Sequence, residues 1–159
     1  MRIKFLKDED ITNYKKISMF IGTVRCTWKC CTEADIPSTV CQNYSWSKNE
    51  IKHIDNQYII ERYLQNPLTE AIVFGGLEPM DQFIELYAFI TAFRRHSDDD
   101  IVIYTGYYPA EIAEEVQLLK QFKNIIIKYG RYIPSDTTRY DEVLGVTLAS
   151  SNQYAVQEG

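Results

Sequence analysis

Ile17-Ser-Met-Phe-Ile-Gly-Thr-Val-Arg-Cys26-Thr-Trp-Lys-Cys30-Cys31 joins an apolar run to a cysteine cluster. The run Ile17–Thr23 reads as a buried strand, which puts the cysteines in the loop at its carboxyl end. That end of a strand is where α/β folds carry their chemistry. A second segment, Cys41-Gln-Asn-Tyr-Ser-Trp46, follows with ten residues between Cys30 and Cys41. All four cysteines of the chain fall within these sixteen positions, a clustering that small core apolar residues do not need.

Clustered thiols have three common uses. Disulfides form in oxidising compartments. The segment Met1–Asp10 has no apolar core long enough for a signal peptide, so a cytoplasmic chain with reduced thiols is expected. Zinc closes a tetrahedron of four thiolates, but structural sites favour two C-x-x-C knuckles, and here Cys30 and Cys31 are adjacent with side chains pointing apart. An iron–sulfur cluster held by three cysteines leaves one iron open to a substrate or cofactor. C-x3-C alone does not decide among these uses.

The 159 residues predict a single domain over 1–159 with a core of useful size. Apolar residues make up 45% and charged residues 25%, an ordinary soluble balance. No apolar run approaches the ~20 residues of a membrane span, so no membrane partner is expected. The net charge of −5, with no basic run, argues against nucleic acid as a partner.

The remaining pattern alternates strand and helix. Arg2–Leu6 is a short strand candidate, followed by a charged turn at Lys7–Asp10. The stretch from Val24 to about Asn49 is a long loop, bracketed by Trp28 and Trp46, whose ordinary role is to pack it on the body. Asp55 caps a helix through about Leu64, with Ile59, Ile60, Tyr63 and Leu64 inward. Ala71–Phe74 is an all-apolar strand. Met80 to about Arg95 is a helix with Met80, Phe83, Ile84, Tyr87 and Ile90 at helical spacing. Ile101–Tyr104 is a strand, Pro109 opens a helix through about Lys120, and Asn124–Lys128 is a further strand. Residues 131–142 read as a loop, Leu144–Leu148 as extended, and the tail after Tyr154 as loose. This order predicts an α/β fold with a mostly parallel sheet, right-handed crossovers and flanking helices. The cysteines, Gly75–Glu78, Thr105–Tyr107 and Lys128–Arg131 then all open onto one sheet edge.

Each of those motifs has a plain alternative. Gly75-Gly76 lets backbone approach a ligand closely, or makes a tight strand-to-helix turn. Glu78 can accept hydrogen bonds from an amino group. Thr105-Gly106 has the same ambiguity, and Ser150-Ser151-Asn152 is either a set of ligand donors or a polar turn. His53 and His96 read as surface residues. No Ser/His/Asp arrangement and no phosphate loop are present, so no catalytic residue is expected beyond the cofactor ligands.

Taken together, these stretches resemble the radical S-adenosylmethionine (SAM) superfamily, and within it the activating proteins of anaerobic ribonucleotide reductases. Cys26-x3-Cys30 with Cys41-Gln-Asn-Tyr-Ser-Trp46 is similar to the family's C-x3-C-x2-C and its downstream Asn and Thr/Ser-Trp. Gly75-Gly76-Leu77-Glu78-Pro79 resembles the Gly-Gly-Asp/Glu-Pro segment that meets the SAM amino group. Ile103-Tyr-Thr-Gly-Tyr107 resembles the Tyr-Thr-Gly-Tyr strand end. Ile126-Ile-Lys-Tyr-Gly130 with Leu148-Ala-Ser-Ser-Asn-Gln153 resembles the Asp-Gly loop and terminal Gly-Ser-Ser-Asn-Gln segment. Ten residues stand between Cys30 and Cys41 where the family has two, Leu77 interrupts Gly-Gly-Glu, Val40 stands where an aromatic is common, and Lys128-Tyr129 precedes Gly130 where an acidic residue is usual.

The resemblance implies a partial (β/α) barrel, a [4Fe–4S] cluster on Cys26, Cys30 and Cys41, and SAM as second cofactor. Cys31 is the alternative ligand, disfavoured because it adjoins Cys30. It further implies a SAM pocket formed by Gly75, Gly76, Glu78, Thr105, Gly106, Ser150, Ser151 and Asn152, with Lys128 on the SAM carboxylate. The implied partners are an electron-donor protein and the large glycyl-radical subunit of a reductase, on which a glycyl radical would be installed. A radical SAM enzyme with another substrate, or a non-catalytic zinc or iron–sulfur module, are the competing readings.

Overall fold

Four short runs of β-branched and aromatic residues become the middle of one sheet. The computed structural model describes residues 1–159. Its strands are β1 Arg2–Ile3, β2 Phe5–Asp10, β3 Ser18–Gly22, β4 Lys52–His53, β5 Ala71–Gly75, β6 Asp100–Tyr104, β7 Ile125–Tyr129, β8 Arg139–Asp141, β9 Val146–Leu148 and β10 Tyr154–Gln157. The helices are α1 Lys29–Glu33, α2 Tyr44–Ser47, α3 Asn56–Gln65, α4 Phe83–Phe93 and α5 Ala113–Leu119, with single 3-10 turns at Ser38–Val40, Pro79–Gln82 and Pro109–Glu111. The main sheet has six strands in the order β10-β7-β6-β5-β3-β2. The four inner strands are parallel, and β2 and β10 flank them antiparallel. The mostly parallel sheet with flanking helices thus matches the expectation.

The inner strands are apolar throughout because both faces are covered. On one face Ile72, Phe74, Ile101, Ile103, Ile125 and Ile127 meet Ile59 and Ile60 of α3, Leu86, Phe89, Ile90 and Phe93 of α4, and Val116 and Leu119 of α5. Each fully buried Phe or Ile there contributes about 1.5–3 kcal/mol relative to exposure. On the other face Val73, Val102 and Ile126 pack not against a helix but against Tyr14, Leu144 and Leu148. The β8–β9 ribbon and the segment before β3 therefore fill the amino-terminal half of that face.

Several local expectations give way. Lys7–Asp10 is not a turn but the end of β2, where polar side chains suit an edge strand. The chain after Tyr154 is not loose, because β10 pairs with β7 from Tyr154↔Tyr129 to Gln157↔Ile126. Residues 24–49 hold two short helices and a 3-10 turn. In α4 the buried stripe is Leu86, Phe89, Ile90 and Phe93, while Ile84 is 85% exposed. Leu64 likewise faces outward from α3, whereas Ile59, Ile60 and Tyr63 are buried.

Candidate metal centre

Parallel register brings the carboxyl ends of β3, β5, β6 and β7 to one edge. Thr23 N–H donates to Gly75 O at 3.0 Å, Glu78 N–H to Arg25 O at 2.7 Å, Thr105 N–H to Lys128 O at 2.9 Å and Gly130 N–H to Tyr107 O at 3.1 Å. These bonds stitch the start of the cysteine loop to Gly75–Glu78 and Thr105–Tyr107 to Lys128–Arg131, and the Glu78 carboxylate joins the two pairs by accepting from Gly106 N–H.

The cysteine loop closes over this edge. Cys30 and Cys31 lie in α1, and Cys26 and Cys41 precede short helices. Cys26, Cys30 and Cys41 are half-buried, whereas Cys31 is 3% exposed. The Cys30 and Cys31 sulfurs are 3.9 Å apart. Trp28 N–H donates to Cys26 Sγ at 3.3 Å. Burial pushes the Cys26 thiol up to about 12, against that hydrogen bond and with the charges of Glu78, Cys30 and Asp81 adding to the rise. Burial also pushes Cys31 up to about 11 and raises Cys41, against the dipoles of the Asn43 and Tyr44 amides. The charge of Cys30 adds to the rise at Cys26, Cys31 and Cys41.

This donor set fits an iron–sulfur cluster. Half-buried thiols that repel one another favour a cationic metal group that replaces their protons. The Trp28 amide-to-sulfur contact on Cys26 is of the kind that tunes cluster potentials. No three Cys, His, Asp or Glu side chains close on a single ion-sized point, as four ligands would around one zinc. A cluster spreads its sulfurs over several irons and needs no such convergence.

Around the cysteines, the residues expected to form a SAM pocket are largely bonded within the chain. Glu78 is buried, with Oε1 accepting from Met80 N–H at 3.0 Å and Oε2 from Gly106 N–H at 2.8 Å. Burial raises its carboxyl to about 7 despite those bonds. Lys128 is 6% exposed. Its Nζ donates to Gly130 O at 3.0 Å and, more weakly, to Thr105 O at 3.5 Å. Burial lowers its ammonium to about 8, against the pull of Glu78 and Cys30. Thr105 Oγ1 accepts from Tyr107 N–H at 3.0 Å. Ser150 Oγ lies 3.4 Å from Arg131 O, and Asn152 Nδ2 donates to Arg131 O at 2.8 Å, leaving its buried Oδ1 without a partner. Ser151 turns away, and its hydroxyl bonds Asp136 at 2.7 Å. The glycines are not bare: a Cβ on Gly75 would meet Phe20 at 3.1 Å, and one on Gly76 would meet Trp46 at 3.1 Å and Phe5 at 3.3 Å.

A cleft of about 500 Å³ opens beside Cys26, between Trp28, Ser47, Leu77 and Asp81. A second cleft of about 610 Å³ runs among Met1, Arg2, Asp55 and Glu85 and contains no cysteine. Of these two clefts, the smaller one reaches a candidate ligand.

Several residues that hold the loop carry no motif. Lys4 is 6% exposed and donates to Ser47 O at 3.0 Å and Asn49 O at 2.6 Å. Asp81 accepts from Thr27 N–H at 2.8 Å and from Tyr107 O–H at 2.7 Å. Trp46 packs on Phe5 of β2 with ring centroids 4.7 Å apart, tying the loop to the body as expected, whereas Trp28 packs at 5.6 Å on Tyr44 within the loop itself. Arg131 pairs with Glu33 and Glu111. Their one signal in the sequence is position, just past a strand end or inside the cysteine loop. His53 and His96 are exposed, as expected. No helix is long and apolar enough to cross a membrane.

Residues 16–154 match the family described as "4Fe-4S single cluster domain". Comparisons with curated proteins and with solved structures gave no match. A match over this much of the chain, together with half-buried thiols gathered at the strand ends, identifies the cofactor class: the chain belongs to the 4Fe-4S single cluster domain family, which is found in radical SAM enzymes.

Proposed function

We propose that this chain is a radical SAM enzyme of the glycyl-radical activating type. Cys26, Cys30 and Cys41 are the cluster ligands in this reading, and Cys31 is a buried neighbour. When bound, the cluster supplies the electron that splits SAM into methionine and a 5′-deoxyadenosyl radical. The radical acceptor is a glycine on the large subunit of an anaerobic ribonucleotide reductase, and a separate protein supplies the electron.

The observation that carries the reading is the position of Lys128. Its ammonium is buried at the carboxyl ends of β6 and β7, donating to Gly130 O at 3.0 Å and to Thr105 O at 3.5 Å, and the charges of Glu78 and Cys30 favour its charged form. A cation there suits a carboxylate that also reaches the open iron. Gly75, Gly76 and Glu78 would meet the amino group beside it. Thr105, Gly106, Ser150 and Asn152 would line the rest, and Ser151 would hold the 131–142 loop through Asp136. Residues of this chain thus bind, orient and shield, while the hard chemistry belongs to the cofactors.

One observation favours a second reading, a cluster module without SAM. Phe5 and Trp46 cover Gly76, the segment a SAM amino group would approach. Binding SAM requires those rings to move with the loop.

The test is anaerobic reconstitution with iron and sulfide, reduction, and electron paramagnetic resonance with and without SAM. A cluster signal that changes on adding SAM supports the enzyme. A cluster blind to SAM supports the module, and a chain that takes up zinc alone overturns both.

A further inference from the structure

A five-residue helix is a poor platform for a metal ligand. The helix α1 begins at Trp28 in a left-handed conformation with φ 57°, and no side chain caps it. Segments this short are not stable by themselves. Ten residues separate its companion ligand Cys41 from Cys30, so on the carboxyl side no ligand close in sequence fixes where Cys30 points.

A ring of charges supplies what the helix lacks. Lys29 and Glu33 are its first and last residues, four apart and hence on one face. Lys29 Nζ donates to Glu111. Glu33 Oε2 is 2.6 Å from Arg131 Nε, although the N–H does not point along that line. Arg131 closes the ring on Glu111 with two bonds of 2.7 and 2.5 Å. It also donates to Gly106 O at 3.2 Å and lies over the Tyr108 ring at 5.0 Å. The Arg131 side chain is 6% exposed, so this centre is held by the strand ends β6 and β7 rather than by solvent. Those four groups tie both ends of α1 to the rigid sheet, with Cys30 between the two ties.

We propose that Arg131, acting through Glu33, Glu111 and Lys29, is the positioning clamp that fixes Cys30 for cluster binding and compensates for the widened spacing to Cys41. The inference rests on the cluster reading above. Two contacts spaced four residues apart stop α1 from rotating about its axis. They hold the Cys30 sulfur where it acts on Cys26, Cys31, Cys41 and Lys128. Groups behind metal ligands typically change metal affinity by about 10–100-fold when removed.

The key variant is the double change Lys29→Met with Glu33→Gln. Both side chains are about half exposed, at 45% and 50%, and the Arg131–Glu111 pair stays intact. Expected are an unchanged melting temperature, faster amide exchange at Thr32 and Ala34 in the iron-free chain, and release of iron to a chelator about tenfold faster. Arg131→Gln should speed exchange and iron release likewise, broaden the cluster spectrum and, because it also breaks the buried Glu111 pair, lower the melting temperature, and Arg131→Lys should restore part of the loss. A double variant with wild-type exchange, wild-type iron release and an unaltered spectrum overturns the clamp. A wild-type chain that binds no cluster overturns the parent reading instead, and then the exchange measurement alone decides whether the clamp orders α1.

Discussion

Trp46 lies across Gly76, so close that a Cβ at that glycine would sit 3.1 Å from its ring. Gly76 also has φ +81°, a conformation that side-chain-bearing residues rarely adopt. Gly76→Ala should therefore cost roughly 1–3 kcal/mol and lift Trp46 off the strand end. Thermal unfolding and the tryptophan emission maximum check this. An unshifted melting temperature with unchanged emission would contradict the packing described.

The four cysteines should divide three to one. Cys26→Ala, Cys30→Ala and Cys41→Ala are each expected to lose the reconstituted cluster. Cys31→Ala should keep its iron and lose about 1 kcal/mol of stability, the scale of one buried side-chain atom. Iron and sulfide analysis with electron paramagnetic resonance reads the first effect, and denaturant titration the second. Retained iron in Cys41→Ala would sink the ligand assignment.

Glu78 should impose a pH slope on stability. Burial raises its carboxyl to about 7 from 4.5, so the unfolded chain gives up the proton first. The contribution is complete below pH 4.5 and is lost as pH rises through about 7, a change of roughly 3 kcal/mol. Lys128, lowered to about 8, titrates above that window. Glu78→Gln should flatten the slope between pH 4.5 and 7 in denaturant titrations of the iron-free chain.

Lys128→Met removes a buried cation facing Cys30. The potential of the bound cluster should become more negative, since a nearby positive charge favours the reduced form. Stability should hold or rise, because a buried charge without a carboxylate in contact is costly. A redox titration followed by electron paramagnetic resonance reads the first effect, and the melting temperature the second. An unchanged potential would remove Lys128 from the site.

What the sequence showed clearly was its interior. Ala71–Phe74 and Asn124–Lys128 are legible as central strands because a strand covered on both faces must be apolar at every position. Their carboxyl ends follow from the parallel order, which is why the four motifs were expected at one edge. The edges were less legible. Lys7–Asp10 is charged at every position and Tyr154–Gln157 is short, so neither announces a strand although each belongs to one paired with an inner strand. Ile84 misled because α4 has apolar residues on more than one face, and helical spacing alone cannot choose between them. The rings over Gly76 and the clamp at Arg131 join residues 20 to 98 positions apart, and contacts at that distance have no local signature.

The β2 strand has a consequence for the iron-free protein. Its register shifts between Lys7 and Asp10, and its outer half carries Lys7, Asp8 and Glu9. A bulge and a run of charges deny the flank to a strand from another molecule. β10, four residues long, offers little more on the opposite flank. The two flanks that close the sheet thus also guard the iron-free chain against edge-to-edge pairing with its own copies.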